Sequence, residues 1–198
     1  MINPADWIGH PVVLEGEMVR LVPLERAHFP ELLKIGADRR IWEYMSVDGS
    51  DERRLLQLLE TAVLKRATKE QYPFAVVEKA TGAIIGSTMF HNIFPQHRKL
   101  EIGWTWYDPA YWRTGVNREC KYLLLNYCFD VLAAIRVQLV TDEINLRSRK
   151  AIEGIGGVFE GVLRHERIRE NGIFRNTVMY SILPPEWEFV RHQVILKK

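Results

Sequence analysis

Residues 111–121 have the composition of a loop that binds phosphate. Gly115 stands near the middle, Arg113 and Arg118 flank it, and no acidic residue of the segment comes before Glu119. A strand-like run precedes the segment, and a helical pattern begins after Gly115 and covers about 116–132. The first N–H groups of a helix have no partner within the helix, and the helix dipole adds positive partial charge there. The segment is therefore predicted to bind a phosphorylated ligand at the start of a helix.

A second segment, 141–157, joins the end of an apolar strand pattern to a short helix. Asn145 stands at the predicted helix start, where its side chain can cap backbone N–H groups, and Gly156 with Gly157 ends the helix. Ser148 follows one turn later and faces the same side of the helix. Two polar side chains are thus predicted together beside this helix N-terminus.

The composition is that of an ordinary globular domain. The chain has 198 residues, of which 47% are hydrophobic and 26% charged, and this length suits one domain over 1–198. The net charge is +2, with 27 basic and 25 acidic residues, which is too balanced to indicate nucleic-acid binding. No apolar run approaches about 18 residues and no secretory signal is visible, so neither a membrane span nor export is expected.

The two cysteines indicate neither a disulfide nor a metal site. Cys120 and Cys128 lie eight residues apart on one predicted helix, too far to bond with each other inside it. The chain has no Cys-x-x-Cys pair and no His/Cys cluster, so no bound metal is expected. Unpaired cysteines fit a reducing compartment, and the cytoplasm is the predicted location.

Hydrophobic periodicity and turn residues predict one mixed α/β domain around a central sheet. Residues 1–18 are expected to be irregular, and a short helix is expected within 184–198. Between them the predicted order is strand 19–24, helices 26–37 and 51–69, strands 74–78, 83–90 and 99–107, helix 116–132, strand 136–141, helix 145–155, and strands 158–169 and 174–183. Gly82 and the Asn171-Gly172 pair are the predicted hairpin turns.

This order, with the two segments above, resembles the Gcn5-related N-acetyltransferases (GNAT), and within them the branch that acetylates ribosomal-protein N-termini. The resemblance covers about residues 17–183 and implies a mostly antiparallel, twisted sheet flanked by helices. The family's acetyl-CoA signature is Gln/Arg-x-x-Gly-x-Gly/Ala, which aligns with residues 112–117. Gly115 matches the central glycine, and Trp112 replaces Gln/Arg, as the branch often allows. Asn117 replaces the last small residue, so its side chain must turn away from the pyrophosphate.

The resemblance implies transfer of an acetyl group from acetyl-CoA to a primary amine, by direct attack in a ternary complex. The backbone of residues 104–106 would meet the pantetheine and the acetyl carbonyl, Asn145 would reach the pantetheine arm, and Ser148 would sit near the sulfur. The residues expected to bind acetyl-CoA are Trp104, Thr105, Trp106, Trp112, Arg113, Thr114, Gly115, Val116, Asn117, Arg118, Asn145 and Ser148.

Acetyl transfer to an amine needs a base, because an α-ammonium titrates near ~8 and an alkyl ammonium near ~10.4. Glu101, in the strand before the loop, is the candidate base, acting directly or through water. The alternatives are a surface acid on an alternating strand or a residue that shapes the acceptor pocket. Many relatives use a tyrosine as general acid, but the aligned residue here is Ile152. Ser148 is the nearest replacement, or else only a helix residue that caps or back-bonds.

The sequence is compatible with more than one function, acceptor and oligomeric state. The domain could bind acetyl-CoA without catalysis, as a sensor or interaction module. A dinucleotide or RNA at the Gly115 loop is disfavoured, because no Gly-x-Gly-x-x-Gly follows the first strand and no Walker lysine pattern is present. The acceptor is expected to be a small-molecule amine or a protein N-terminus, and a homodimer is left open. Residues 147–150 either contact the 3′-phosphate of CoA or form a solvated face.

Overall fold

The computed structural model describes residues 7–170 and 172–196, with side chains to residue 192. These residues form one eight-stranded sheet in the order β1-β2-β3-β4-β5-β6-β8-β7. The strands are β1 (Leu14–Glu15), β2 (Val19–Pro23), β3 (Tyr72–Glu78), β4 (Ile84–Phe94), β5 (Lys99–Tyr107), β6 (Arg136–Asp142), β7 (Val158–Ile168) and β8 (Phe174–Ile182). The helices are α1 (Phe29–Gly36), α2 (Glu52–Ala67), α3 (Val116–Asn126), α4 (Leu146–Glu153) and α5 (Pro184–Leu196).

All neighbouring strands pair antiparallel except β5 and β6, which pair parallel. The parallel pair follows from the connection through α3, since a helical crossover returns the chain to the same end of the sheet. Apolar clusters cover both faces of the sheet. One cluster packs α3 and α5 on the sheet through Leu124 and Trp187, and the other packs α1 and α2 through Leu32 and Leu55. The predicted mixed α/β domain with a mostly antiparallel sheet is confirmed.

The observed ends of the helices and strands agree closely with the predicted ones, with a few differences. Within the segment expected to be irregular, residues 14–15 form the short strand β1, whose two residues are too few to show a period in the sequence. The helix predicted over 116–132 changes after Asn126 into a π-helical turn, Tyr127–Val131. Strand β4 runs on to Phe94, past the predicted end at 90. Residues 1–6 and Asn171, the first residue of the predicted Asn-Gly turn, lie outside the described residues.

Strands β5 and β6 separate soon after they meet. Their parallel register ends at the pair Glu101–Gln138, while β5 continues to Tyr107 and β6 to Asp142. We call the opening between residues 102–107 of β5 and 139–142 of β6 the fork. Inside the fork, the two facing strand edges do not pair with each other, so their backbone N–H and C=O groups are available to a ligand.

A bulge in β5 lies inside the fork. Opposite the step from Ser87 to Met89 of β4, β5 carries one extra residue between Trp106 and Gly103. Trp104 takes up the irregularity with a φ of 51°. A β-bulge bends its strand and redirects neighbouring side chains and backbone groups, and such bulges are frequent beside functional sites.

Candidate functional site

The fork opens into a cleft with a volume of about 1360 Å³. Its walls come from β5, β6, the 111–119 loop, α4 and the segment that follows α1. Eleven of the twelve residues predicted to bind acetyl-CoA line it: Trp104, Thr105, Trp106, Trp112, Arg113, Thr114, Gly115, Asn117, Arg118, Asn145 and Ser148. The twelfth, Val116, is buried in the core between α3 and the sheet. The structure thus collects nearly all of the candidate binding residues in one cavity.

The 111–119 loop brings the N-terminus of α3 to the mouth of the cleft. Gly115 is the N-cap residue, and its φ of 93° lies in the left-handed region that favours glycine. A Cβ at this position would also stand 3.3 Å from the Cε of Met18. Arg113, with a φ of 64°, turns the chain just before it. The start of α3 and two arginines therefore lie together at the wall of the cleft, an arrangement that favours an anion such as phosphate.

The side chain of Asn117 is turned toward the sheet. Its Oδ1 accepts a hydrogen bond from the hydroxyl of Tyr107 at 3.3 Å. Burial raises the pKa of Tyr107 well above its ordinary value, so this hydroxyl remains a neutral donor. The side chain of Asn117 is therefore held by a tyrosine beneath the loop.

Glu119, in the first turn of α3, holds a neighbouring segment in place. Its carboxylate accepts hydrogen bonds from the backbone N–H groups of Glu17, Met18 and Val19 at 2.7 to 2.9 Å. A Cβ on Gly16 would lie 2.6 Å from the Cδ of Glu119, so the chain passes very close there. Glu119, the acidic residue in the first turn of α3, therefore fixes residues 17–19 against this helix. Its carboxylate is already occupied by three backbone donors of the protein.

Helix α4, predicted over 145–155 and observed over Leu146–Glu153, forms the opposite wall of the cleft. The Oδ1 of Asn145 accepts a hydrogen bond from the backbone N–H of Ser148 at 3.0 Å, which is the predicted N-cap. Ser148 is half-buried and lines the cleft. The guanidinium of Arg147 lies 4.2 Å from the ring centre of Trp112 and so links α4 to the phosphate loop. Ile152 is buried and also lines the cleft, so the wall has no hydroxyl at that position.

Glu101 lies at the apex of the fork and is only 2% exposed. Its Oε2 accepts hydrogen bonds from Asn92 at 3.0 Å and Gln138 at 2.8 Å. Its Oε1 is 3.2 Å from the Nε2 of His91, but the angle is poor for a hydrogen bond, so that contact is mainly electrostatic. Burial acts to raise the pKa of Glu101, but His91 and the two amides outweigh it and leave the pKa lowered.

The interpretation of Glu101 as a surface acid is wrong, because the carboxylate is buried and ionised. Among the described residues, those that line the cleft include neither Glu101 nor His91. Glu101 can therefore exchange a proton with a group in the cleft only through an intervening group, such as a water molecule or His91. His91 was missed in the sequence, where a histidine in an alternating strand has no distinguishing signal. It becomes notable only because the register places it directly across from Glu101.

Lys121 lines the cleft and is another residue that the sequence did not single out. It lies on the buried side of α3, is 7% exposed, and its Nζ donates a hydrogen bond to the Oγ1 of Thr105 at 2.7 Å. Burial lowers its pKa from 10.5 to about 8. The available signal was a lysine three and four residues before Leu124 and Leu125, on an apolar helical stripe.

The segment after α1 closes the other side of the cleft. Tyr44 and Met45 line it, while Trp42 packs behind them with ring centres 6.4 Å from Trp104 and 5.4 Å from Trp106. Arg175 of β8 also lines the cleft and donates to the Oγ of Ser46 at 2.7 Å. This segment therefore contributes both to the cleft wall, through Tyr44, and to the core, through Trp42.

A metal site, a reactive cysteine and a membrane-spanning helix each place requirements on the described residues. No group of three or more His, Cys, Asp or Glu side chains among them could hold a metal ion. Both cysteines are buried and unpaired, and burial raises the pKa of Cys120 to about 12. Over the same part of the chain, no helix combines the length and the apolar character needed to cross a bilayer.

Comparison with known proteins identifies similar sequences and structures. Residues 19–158 match the family described as "Acetyltransferase (GNAT) domain". The chain is 28% identical over 130 residues to the uncharacterized N-acetyltransferase YoaA of Bacillus subtilis (strain 168), covering 66% of this chain and 72% of YoaA. It is 33% identical over 107 residues to the protein of the same organism named "Putative ribosomal N-acetyltransferase YdaF", covering 54% of this chain and 57% of YdaF.

A solved structure shares the whole architecture. The crystal structure of a GCN5-related N-acetyltransferase from Brucella melitensis matches with a TM-score of 0.86 at 27% sequence identity. The match covers 94% of this chain and 85% of that one. The cleft therefore lies in a fold that 94% of this chain shares with a GCN5-related N-acetyltransferase.

Proposed function

Since the chain belongs to the GNAT family of N-acetyltransferases, we propose that it transfers an acetyl group from acetyl-CoA to a primary amine by direct attack in a ternary complex. The observation that carries this proposal is the fork between β5 and β6, with a phosphate-binding helix start at its mouth. An extended ligand with phosphates at one end and a thioester at the other matches this shape.

The proposed position of acetyl-CoA follows from the two ends of the cleft. Its pyrophosphate would meet the N–H groups at the start of α3, with Arg113 and Arg118 at the rim. Its pantetheine arm would run into the fork along the unpaired edge of β5, where backbone N–H groups can bind its amides. The bulge at Trp104 offers the donors that a developing negative charge on the acetyl oxygen requires.

In this proposal Glu101 receives the proton of the amine through His91 or a water molecule. A carboxylate with a lowered pKa is a weak base, so it serves an amine of low pKa better than one of high pKa. An α-amine titrates near ~8, against ~10.4 for the side chain of lysine. The acceptor we favour is therefore the α-amine of a protein N-terminus. A protein acceptor is compatible with the name of the relative YdaF, "Putative ribosomal N-acetyltransferase".

The test is an acceptor screen with acetyl-CoA, in which the released thiol is measured for N-terminal peptides, polyamines and amino acids. We expect thiol release with at least one α-amine acceptor, and loss of that release in a Gly115→Asp variant that remains folded. Binding of acetyl-CoA without thiol release for any acceptor would favour the non-catalytic binding module. If acetyl-CoA fails to raise the melting temperature while NAD or RNA succeeds, the assignment of the ligand is overturned.

A further inference from the structure

Lys121 is a buried cation that the proposed reaction has not yet used. Among the described residues, no carboxylate lies within ion-pair distance of its Nζ, and the hydrogen bond to Thr105 satisfies one of its three donors. A buried ammonium without a paired anion is costly, and proteins retain such groups mainly at functional sites. Lys121 also lines the cleft, so a ligand there can supply the missing negative charge.

The position of Lys121 is specific within the fork. Its partner Thr105 belongs to the bulged part of β5, next to Trp104, and the Oγ1 of Thr105 also lies 2.7 Å from the Oγ1 of Thr88. Lys121 is the sixth residue of α3, so it lies deeper than the helix start that would hold the phosphates. It therefore stands along the path between the phosphate loop and the apex at Glu101, where the thioester end of the donor would lie.

We propose that Lys121 is the catalytic acid of the reaction and gives its proton to the sulfur of CoA as the thioester bond breaks. This inference rests on the proposed function. The amine nitrogen forms a bond to the acetyl carbon, and the electron pair of the carbon–sulfur bond passes to sulfur. The sulfur takes a proton from the Nζ of Lys121, the amine gives its proton toward Glu101, and Lys121 recovers a proton from solvent in the cleft.

The surroundings of Lys121 suit this role. Its pKa of about 8 lies near that of an alkyl thiol, ~8.5, so a proton moves between the two groups at little cost. On the sheet, the negative charge of Glu101 acts on Lys121 and favours the ammonium. Cys120 on its own helix and Tyr107 of β5 have raised pKa values and stay neutral. Ser148, on the opposite wall, offers a hydrogen bond but no charge.

The direct test is the pKa of the thiol of bound CoA, followed by the ultraviolet absorbance of the thiolate. Desulfo-CoA, which lacks the thiol sulfur, is the matched control ligand. Below about pH 10 the two buried cysteines do not contribute to the thiolate absorbance, because burial raises the pKa values of both thiols. In the wild type we expect the pKa of bound CoA to fall at least one unit below that of free CoA. In Lys121→Met that decrease should disappear, and in Ser148→Ala most of it should remain.

Turnover and affinity provide the second part of the test. We expect Lys121→Met to lower kcat at least tenfold while the Kd of acetyl-CoA changes less than threefold. The control is Lys34→Met, which removes an exposed lysine of α1 and should leave both kcat and Kd at the wild-type values. An equal thiol pKa in wild type and Lys121→Met would overturn the inference, even if acetyl transfer is observed. Failure of acetyl-CoA to bind the wild type would instead overturn the proposed function.

If Lys121→Met does not fold, the wild type itself decides the question. The Nζ of Lys121 can be titrated by NMR in the presence of CoA and of desulfo-CoA. A pKa at least half a unit higher with CoA supports contact with the sulfur, because a thiolate stabilises the ammonium. The same pKa with both ligands would refute it.

Discussion

The buried ammonium of Lys121 should make the stability of the protein depend on alkaline pH. Its pKa falls from 10.5 in the unfolded chain to about 8 in the folded protein, because burial penalises the charged form. Between these values the unfolded state binds more protons than the folded state, so the free energy of unfolding rises with pH. Below pH 8 both states carry the charge, and the full penalty is present.

The size of this effect follows from the two pKa values. Each unit of difference corresponds to about 1.36 kcal/mol, so the charged lysine destabilises the folded protein by roughly 3 kcal/mol at pH 7. By pH 10 most of this penalty is relieved, since the folded-state lysine is neutral there. Lys121→Met keeps a similar side-chain length without the charge. The wild type should therefore gain about 2.5 kcal/mol relative to Lys121→Met between pH 7 and pH 10.

The assay is denaturant unfolding of wild type, Lys121→Met and Lys34→Met at pH 7, 8.5 and 10, without ligand. Subtracting the variant removes the titration of all other groups, and Lys34→Met should show a difference from wild type that does not change with pH. A flat difference for Lys121→Met would show that its ammonium is solvated in the folded protein. Lys121 would then not be an uncompensated buried cation.

Four further changes test the proposed site. Gly115→Asp places a side chain and a negative charge where the phosphates approach and should weaken acetyl-CoA binding at least tenfold in calorimetry, whereas unchanged binding would move the phosphate site elsewhere. Asn145→Ala removes the α4 cap and should cost about 1 kcal/mol in denaturant unfolding, together with some acetyl-CoA affinity. Ser148→Ala should lower kcat more than the affinity for acetyl-CoA. If the variant has the kcat and the affinity of the wild type, Ser148 has only a structural role in α4. Glu101→Gln should lower the maximal rate about 10²-fold with little change in Kd. The wild-type rate should rise with pH as the amine loses its proton and fall again above about pH 8, where Lys121 loses its own. If Glu101→Gln is as fast as the wild type across pH 6–9, the base lies elsewhere.

Local features of this protein were readable from its sequence. Gly115 and the cap at Asn145 were correctly predicted because each depends on a backbone conformation or a hydrogen bond within a few residues of the chain. The strand Lys99–Tyr107 was predicted to the residue, since its alternating pattern and flanking turns are local signals too. The order of the helices and strands, with these two segments, sufficed to identify the family.

The tertiary structure decided how the chemical groups meet. Whether Glu101 is exposed or buried depends on Gln138 and His91, which come from two neighbouring strands whose register no local pattern specifies. Lys121 is buried beside Thr105 only because of the face of α3 that packs on β5. The fork exists because β5 and β6 separate after the pair Glu101–Gln138. These are contacts between residues distant in sequence, set by burial of the whole core. A single sequence records the residue types of such a site, but their depth, partners and charge are set only when the sheet and its helices pack together.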